Sequence, residues 1–207
     1  MRRELRPWVL LLGLAGCARG PVDDEPITPG EPARSGRSAA VDEADPAPGP
    51  NEGGGSALAL PPAVGAWWPE ISAAAERHDV PPELVALVVW LESSGDAEAR
   101  SPSGALGLMQ LMPGTAAKVA AARGEPPPTE EDLLDPERNL ELGCAHLSAL
   151  ATDLGAEPLD GAAVHRIAIA YNGGMKVLTA WQGGAPLPEE TERYAAALRE
   201  RWEARQP

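Results

Sequence analysis

The residue in this chain best placed to do chemistry is Glu92, at the end of the run Glu83-Leu84-Val85-Ala86-Leu87-Val88-Val89-Trp90-Leu91-Glu92. The run is apolar almost all round, the pattern of a helix enclosed by other helices. Two influences would hold a carboxyl at its C-terminal end protonated near neutral pH: partial burial against apolar neighbours, and the negative end of the helix dipole. A carboxyl in that state is a general acid, and once it has given up its proton it is a general base. Spacing alone also fits a solvent-exposed Glu just past the helix end. Asp96 and Glu98, in the following loop, read as solvated charges.

Other reactive side chains offer less. His78, His146 and His165 show no metal-ligand spacing, so no metal site and no cofactor is expected. Cys144 falls on a helix without a His-bearing motif and reads as a small buried apolar residue. Trp67, Trp68 and Trp90 read mostly as core, with a sugar-stacking platform as the alternative for one of them.

The sequence after Glu92 is more specific. Glu92-Ser93-Ser94-Gly95 is followed by Ser101-Pro102-Ser103-Gly104-Ala105-Leu106-Gly107-Leu108-Met109-Gln110-Leu111-Met112-Pro113-Gly114-Thr115-Ala116. Three more blocks follow in order: Asp135-Pro136 with Asn139, Gly143 and Leu147; Ala170-Tyr171-Asn172-Gly173-Gly174; and Leu187-Pro188 with Glu190-Thr191 and Tyr194. Together they closely resemble the lytic transglycosylases of the soluble, lysozyme-like family (family 1), over about residues 67–200. Departures are modest: His146 stands where that family commonly has Tyr, Ala195 where Val is usual, and Phe is absent.

The resemblance implies an all-α, lysozyme-like domain of goose-type lysozyme architecture, with little or no sheet. It implies Glu92 as the catalytic acid/base, with Ser93 helping to orient the carboxyl or the substrate. Met109 and Gln110 would line the cleft at the cleavage point, and Tyr171 and Asn172 would contact sugar and N-acetyl groups. The Tyr194 hydroxyl would hydrogen-bond to Glu92 and fix its rotamer. The implied reaction is non-hydrolytic cleavage of the β-1,4 bond between N-acetylmuramic acid and N-acetylglucosamine in peptidoglycan, leaving 1,6-anhydromuramoyl ends. Ordinary glycosidases need two carboxyl groups roughly 5 to 10 Å apart; here one acid stands out. The alternatives are a goose-type lysozyme-like muramidase, which would need Asp96 or another acid to activate water, and a catalytically idle peptidoglycan-binding lipoprotein.

The elements that must position these residues are helical. Periodicity and breakers predict helices near 68–78 and 82–92, then one opened by Pro113 and ended by Gly124. A longer helix is capped by Asp135 and stopped by Gly155, and further ones lie near 161–171, 175–181 and 188–205. No internal repeat is present.

Bulk properties place this domain behind a leader. Arg2, Arg3 and Arg6 precede a short apolar stretch, and Leu14-Ala15-Gly16-Cys17 resembles the lipobox of bacterial lipoproteins. Residues 1–16 therefore read as a lipoprotein signal peptide, and Cys17 as the lipidated N-terminus of the mature chain. Residues 18–57 hold seven Pro, seven Gly and eight acidic against three basic residues. Such a segment cannot offset the entropy of ordering and reads as a disordered tether, giving domains of 1–16, 17–57 and 58–207. With 17 basic and 31 acidic residues the net charge is −14, which argues against nucleic acid as a partner. The expected setting is the cell envelope, lipid-anchored at the outer membrane and facing the periplasm, with peptidoglycan strands as partner. A monomer is expected.

Overall fold

The computed structural model describes residues 58–205. The segments read from sequence as signal peptide, lipidated Cys17 and tether, up to residue 57, lie outside the described residues. Within them are eight helices and no strand: α1 Pro62–Gly65, α2 Trp68–Arg77, α3 Pro82–Ser93, α4 Pro113–Ala122, α5 Glu130–Leu134, α6 Pro136–Asp153, α7 Gly161–Gln182 and α8 Glu189–Ala204. The all-helical expectation holds. Two isolated antiparallel bridges, Arg100 with Leu106 and Leu106 with Leu111, are the nearest approach to sheet among the described residues.

Helix starts follow local chemistry. Proline stands in the first turn of α1, α2, α3, α4 and α6, where its missing N–H is not needed. Asp135 caps α6 by accepting from the Arg138 N–H, and Asp160 caps α7 by accepting from that of Ala163. Two short helices were not expected. Helix α1 spans four residues and α5 five, too short for a periodic pattern to register, although Thr129 and Asp132 form a reciprocal capping box at the start of α5. The two helices expected either side of residues 172–174 form the single element α7, broken only at Gly174, where φ is 81° and ψ 163°.

Helix α3 runs through the middle of the domain, with Leu84, Val85, Ala86, Leu87, Val88 and Val89 all buried. It packs against α1, α2 and α8, while α6 backs α2, α4, α5 and α7, and α8 lies along α7. Helix α8 seats closely over Gly173, where a Cβ would stand 3.1 Å from the Thr191 side chain. Cys144 is buried and free, and burial pushes its thiol up to about 12, leaving it inert.

On one face, Glu141 accepts from Arg77 at 2.9 Å, from His78 at 2.8 Å and from Arg123 at 2.8 Å, joining α2, α6 and the end of α4. Burial would raise its carboxyl, but the hydrogen bonds from Arg77, His78 and Arg123 outweigh that and hold it at about 2. This network stabilises the scaffold away from Glu92.

Candidate active site

Between α3 and α4 the chain runs as an irregular loop, and the motif residues explain how it is held. Asn139 on α6 is completely buried and spends its amide on that loop. Its Oδ1 accepts the Met109 N–H at 2.8 Å, and its Nδ2 donates to the carbonyls of Leu106 at 2.9 Å and Leu133 at 2.7 Å. Gly107, at φ 74°, passes so close that a Cβ there would stand 2.4 Å from Asn139 Nδ2. One helix turn along α6, Gly143 leaves room for the Met109 thioether, whose sulfur would be 2.1 Å from a Cβ at that position.

The anchored loop forms one wall of a cleft of about 380 Å³ whose lining includes Glu92, Gln110, Tyr171, Asn172, Glu190 and Tyr194. Glu92 is partly exposed there, one residue before the end of α3. Burial raises its carboxyl from an ordinary 4.5 to about 7; the Tyr194 hydroxyl pulls the other way, and the negative charge of Glu190 adds to the rise. A carboxyl poised at that value can both donate and accept a proton near neutral pH.

Tyr194 faces Glu92 closely enough to perturb it, yet its hydroxyl is buried without a partner at normal hydrogen-bond distance and angle. The pair is thus apposed, and the hydrogen bond expected from the sequence is not closed. Burial, and then the nearness of Glu92, push both the Tyr194 and the Tyr171 hydroxyls well above the usual phenol range, so both stay neutral donors.

Five of the residues singled out in the sequence therefore meet in one cleft: Glu92, Gln110, Tyr171, Asn172 and Tyr194. Two do not. The Met109 side chain is fully buried, wedged against Gly143, and reaches the site only through its backbone; its carbonyl accepts from the Tyr171 hydroxyl at 2.8 Å. The expectation that Met109 lines the cleft is corrected: the apolar slot left by Gly143 is the better place for a thioether. The Ser93 hydroxyl donates to the Val89 carbonyl at 3.2 Å and accepts from the Gly95 N–H at 3.2 Å, so in this structure it closes the end of α3.

Within the cleft, Gln110 sits at φ 46° and its Nε2 donates to the carbonyls of Ala99 at 3.0 Å and Gly107 at 2.9 Å, so its amide nitrogen ties the loop together. The Tyr171 hydroxyl proton is likewise committed to the Met109 carbonyl.

Sequence reading missed Ser101, Ser103 and Glu190, all of which line the cleft. The serines sit in the same block as Gln110, and Glu190 lies four residues before Tyr194, one helical turn away on α8. That spacing was the available signal. Asp96 and Glu98, the acids considered as second carboxylates, are exposed and do not line the cleft.

Comparison with known proteins agrees with this construction. Endo-type membrane-bound lytic murein transglycosylase A from Klebsiella pneumoniae is 40% identical over 88 residues, 41% of this chain and 42% of that protein. The same protein from a second strain of that species matches equally, so this chain spans less than half the length of these curated relatives. Among solved structures, an inactive Glu→Gln mutant of lytic transglycosylase Slt from Pseudomonas aeruginosa superposes with a TM-score of 0.55 at 25% identity, over 67% of this chain and 25% of that one. The 70-kDa soluble lytic transglycosylase of Escherichia coli gives a TM-score of 0.55 at 24% identity, over 65% of this chain and 24% of that one, and so supports the fold. The family described as Transglycosylase SLT domain matches residues 69–192, which carry Glu92 and every other lining residue named here except Tyr194, and the chain belongs to that family.

Proposed function

We propose that this protein is a peptidoglycan lytic transglycosylase that uses Glu92 first as acid and then as base. The observation that carries the reading is the Glu92 carboxyl, raised to about 7 in a cleft that Tyr171 and Tyr194 also line. Glu92 gives its proton to the glycosidic oxygen between N-acetylmuramic acid and N-acetylglucosamine, and the C1–O4 bond breaks. The muramoyl 2-acetamido oxygen stabilises C1 from the opposite face. Glu92, now ionised, removes the proton of the 6-hydroxyl of the same sugar, and O6 closes onto C1. The carboxyl ends protonated as it began, no water is consumed, and the products are a 1,6-anhydromuramoyl end and a free N-acetylglucosamine 4-hydroxyl. The names of the related proteins, lytic murein transglycosylases, support this assignment.

The site residues follow from that chemistry. Tyr194 orients the Glu92 carboxyl, Gln110 shapes the loop wall, and Tyr171 and Asn172 form the opposite wall against sugar rings and N-acetyl groups. Mass analysis of strands digested by the full chain tests the reading. Ends one water lighter than reducing sugars support it; reducing ends in quantity mean hydrolysis, with Glu190 as the first acid to suspect.

The same proposal places the enzyme on a membrane. Cys17 carries the lipid, residues 18–57 form the tether, and the catalytic domain reaches peptidoglycan from the outer membrane on the periplasmic side, as a monomer. The name of the membrane-bound relative supports an envelope setting, and no described helix is long and apolar enough to cross a membrane. Detergent partitioning of cells producing Cys17→Ser tests it: recovery in the membrane fraction at wild-type level would refute the anchor.

A further inference from the structure

We infer that Trp67 is a positioning residue for Glu92, acting through the backbone turn that ends α3. The inference rests on the acid/base role proposed for Glu92.

Helix α3 does not fray after Glu92. It stops in two successive left-handed residues, Ser94 at φ 54° and Gly95 at φ 87°. A side-chain-bearing residue in that region costs free energy and persists where its surroundings hold it. Ser93 Oγ supplies a brace from within the turn by accepting the Gly95 N–H. Two others come from upstream. Trp67 Nε1 donates to the Gly95 carbonyl at 2.9 Å, and the backbone of α1 lies so close that a Cβ on Gly95 would stand 2.6 Å from the Ala63 carbonyl oxygen. Both Ala63 and Trp67 precede residue 69, so this clamp is built by chain outside the family's matched span.

Trp67 does not line the cleft, and its half-buried ring packs against the core. It therefore acts on Gly95 and not on the substrate. Glu92 lies three residues before Gly95, so the direction of its carboxyl is set by the turn these contacts close. Proton transfer to two different oxygens in succession tolerates little drift in that direction. A loosened turn also opens the carboxyl to water and weakens the burial that keeps it protonated.

The test uses three full-length proteins. Trp67→Phe keeps the ring and removes the N–H. Trp202→Phe is the control, because Trp202 Nε1 makes an equivalent bond to the Leu159 carbonyl at 3.1 Å, away from the cleft. Gly95→Ala drives a methyl into α1 and breaks the clamp from the other side, which keeps the test open should Trp67→Phe fail to fold. Turnover of purified strands, KM, melting temperature and the alkaline limb of the kcat–pH profile are measured for each. Trp67→Phe and Gly95→Ala are expected to lower kcat about 5- to 20-fold with KM changed less than twofold, and to move the alkaline limb to lower pH; Trp202→Phe is expected to lower only the melting temperature. Folded Trp67→Phe or Gly95→Ala with wild-type kcat and an unmoved limb overturns the inference. Absence of anhydromuramoyl products from the wild type would instead refute the proposed function.

Discussion

The Tyr171 hydroxyl donates to the Met109 carbonyl at 2.8 Å, joining α7 to the loop that carries Gln110 across 62 positions of sequence. Tyr171 is thereby a strut of the cleft wall as well as part of its surface. Tyr171→Phe removes that bond and leaves a carbonyl poorly satisfied, at a cost of about 1 to 2 kcal/mol in stability. With the hydroxyl proton already spent on Met109, KM for glycan strands is expected to stay within about threefold of wild type. Denaturant unfolding and strand-cleavage kinetics on one preparation check both statements; a large rise in KM with unchanged stability would return the hydroxyl to substrate binding.

Glu92→Gln is expected to abolish cleavage and to stabilise the protein at alkaline pH. Loss of general acid catalysis costs about 10²- to 10⁴-fold, and here the same group also serves as base. The folded protein holds the Glu92 proton more tightly than the unfolded chain, its carboxyl standing at about 7 against an ordinary 4.5. Ionising it therefore costs nothing below pH 4.5, and the stability lost grows as pH rises through 7, to about 3 kcal/mol beyond pH 8. The amide carries no such cost. Urea melts of both proteins at pH 4 and pH 8.5 should nearly agree at the first and diverge at the second; equal stability at both would mean the carboxyl is not held protonated.

Tyr194→Phe separates orientation from packing. The hydroxyl is buried without a closed hydrogen bond, so removing it is expected to leave stability unchanged or slightly raised. Turnover should fall about 10- to 100-fold, because the carboxyl loses the group that orients it. This hydroxyl also lowers the Glu92 pKa, so the alkaline limb of the kcat–pH profile should move to higher pH. Normal turnover would remove Tyr194 from the site.

Glu190→Gln addresses the one other carboxylate in the cleft. Its charge helps to raise the Glu92 pKa, so the alkaline limb should move to lower pH. If Glu190 activates no water, the products keep their anhydromuramoyl ends and kcat at pH 5 changes less than about threefold, well short of the loss typical of removing a general base. A collapse of activity at every pH would make Glu190 a partner in the chemistry.

Much of this site was legible because each cleft residue lies in a block whose spacing survives folding. Glu92 announced itself as an acid ending an apolar helix, and burial is indeed the principal cause of its shift. Met109 was misplaced because one sequence position cannot say which way a side chain turns, and its partner, Gly143, fixes that only in three dimensions. Glu190 was visible in its block, but its influence on Glu92 arises from the packing of α8 against α3. Helices α1 and α5 escaped notice because four or five residues make barely one turn.

The fit of Met109 against Gly143 makes those two positions a lock and its key slot, so neither can vary alone. A methyl group at 143 has nowhere to go while the thioether occupies the slot, and a shorter side chain at 109 leaves the slot empty under the cleft wall. Gly143→Ala and Met109→Ala should each damage the protein, whereas the double variant should recover part of the loss, a non-additive outcome of the kind contacting residues give. Descendants of this sequence that change residue 109 are then expected to carry a compensating change on α6, and a library built on the cleft should randomise the two positions jointly.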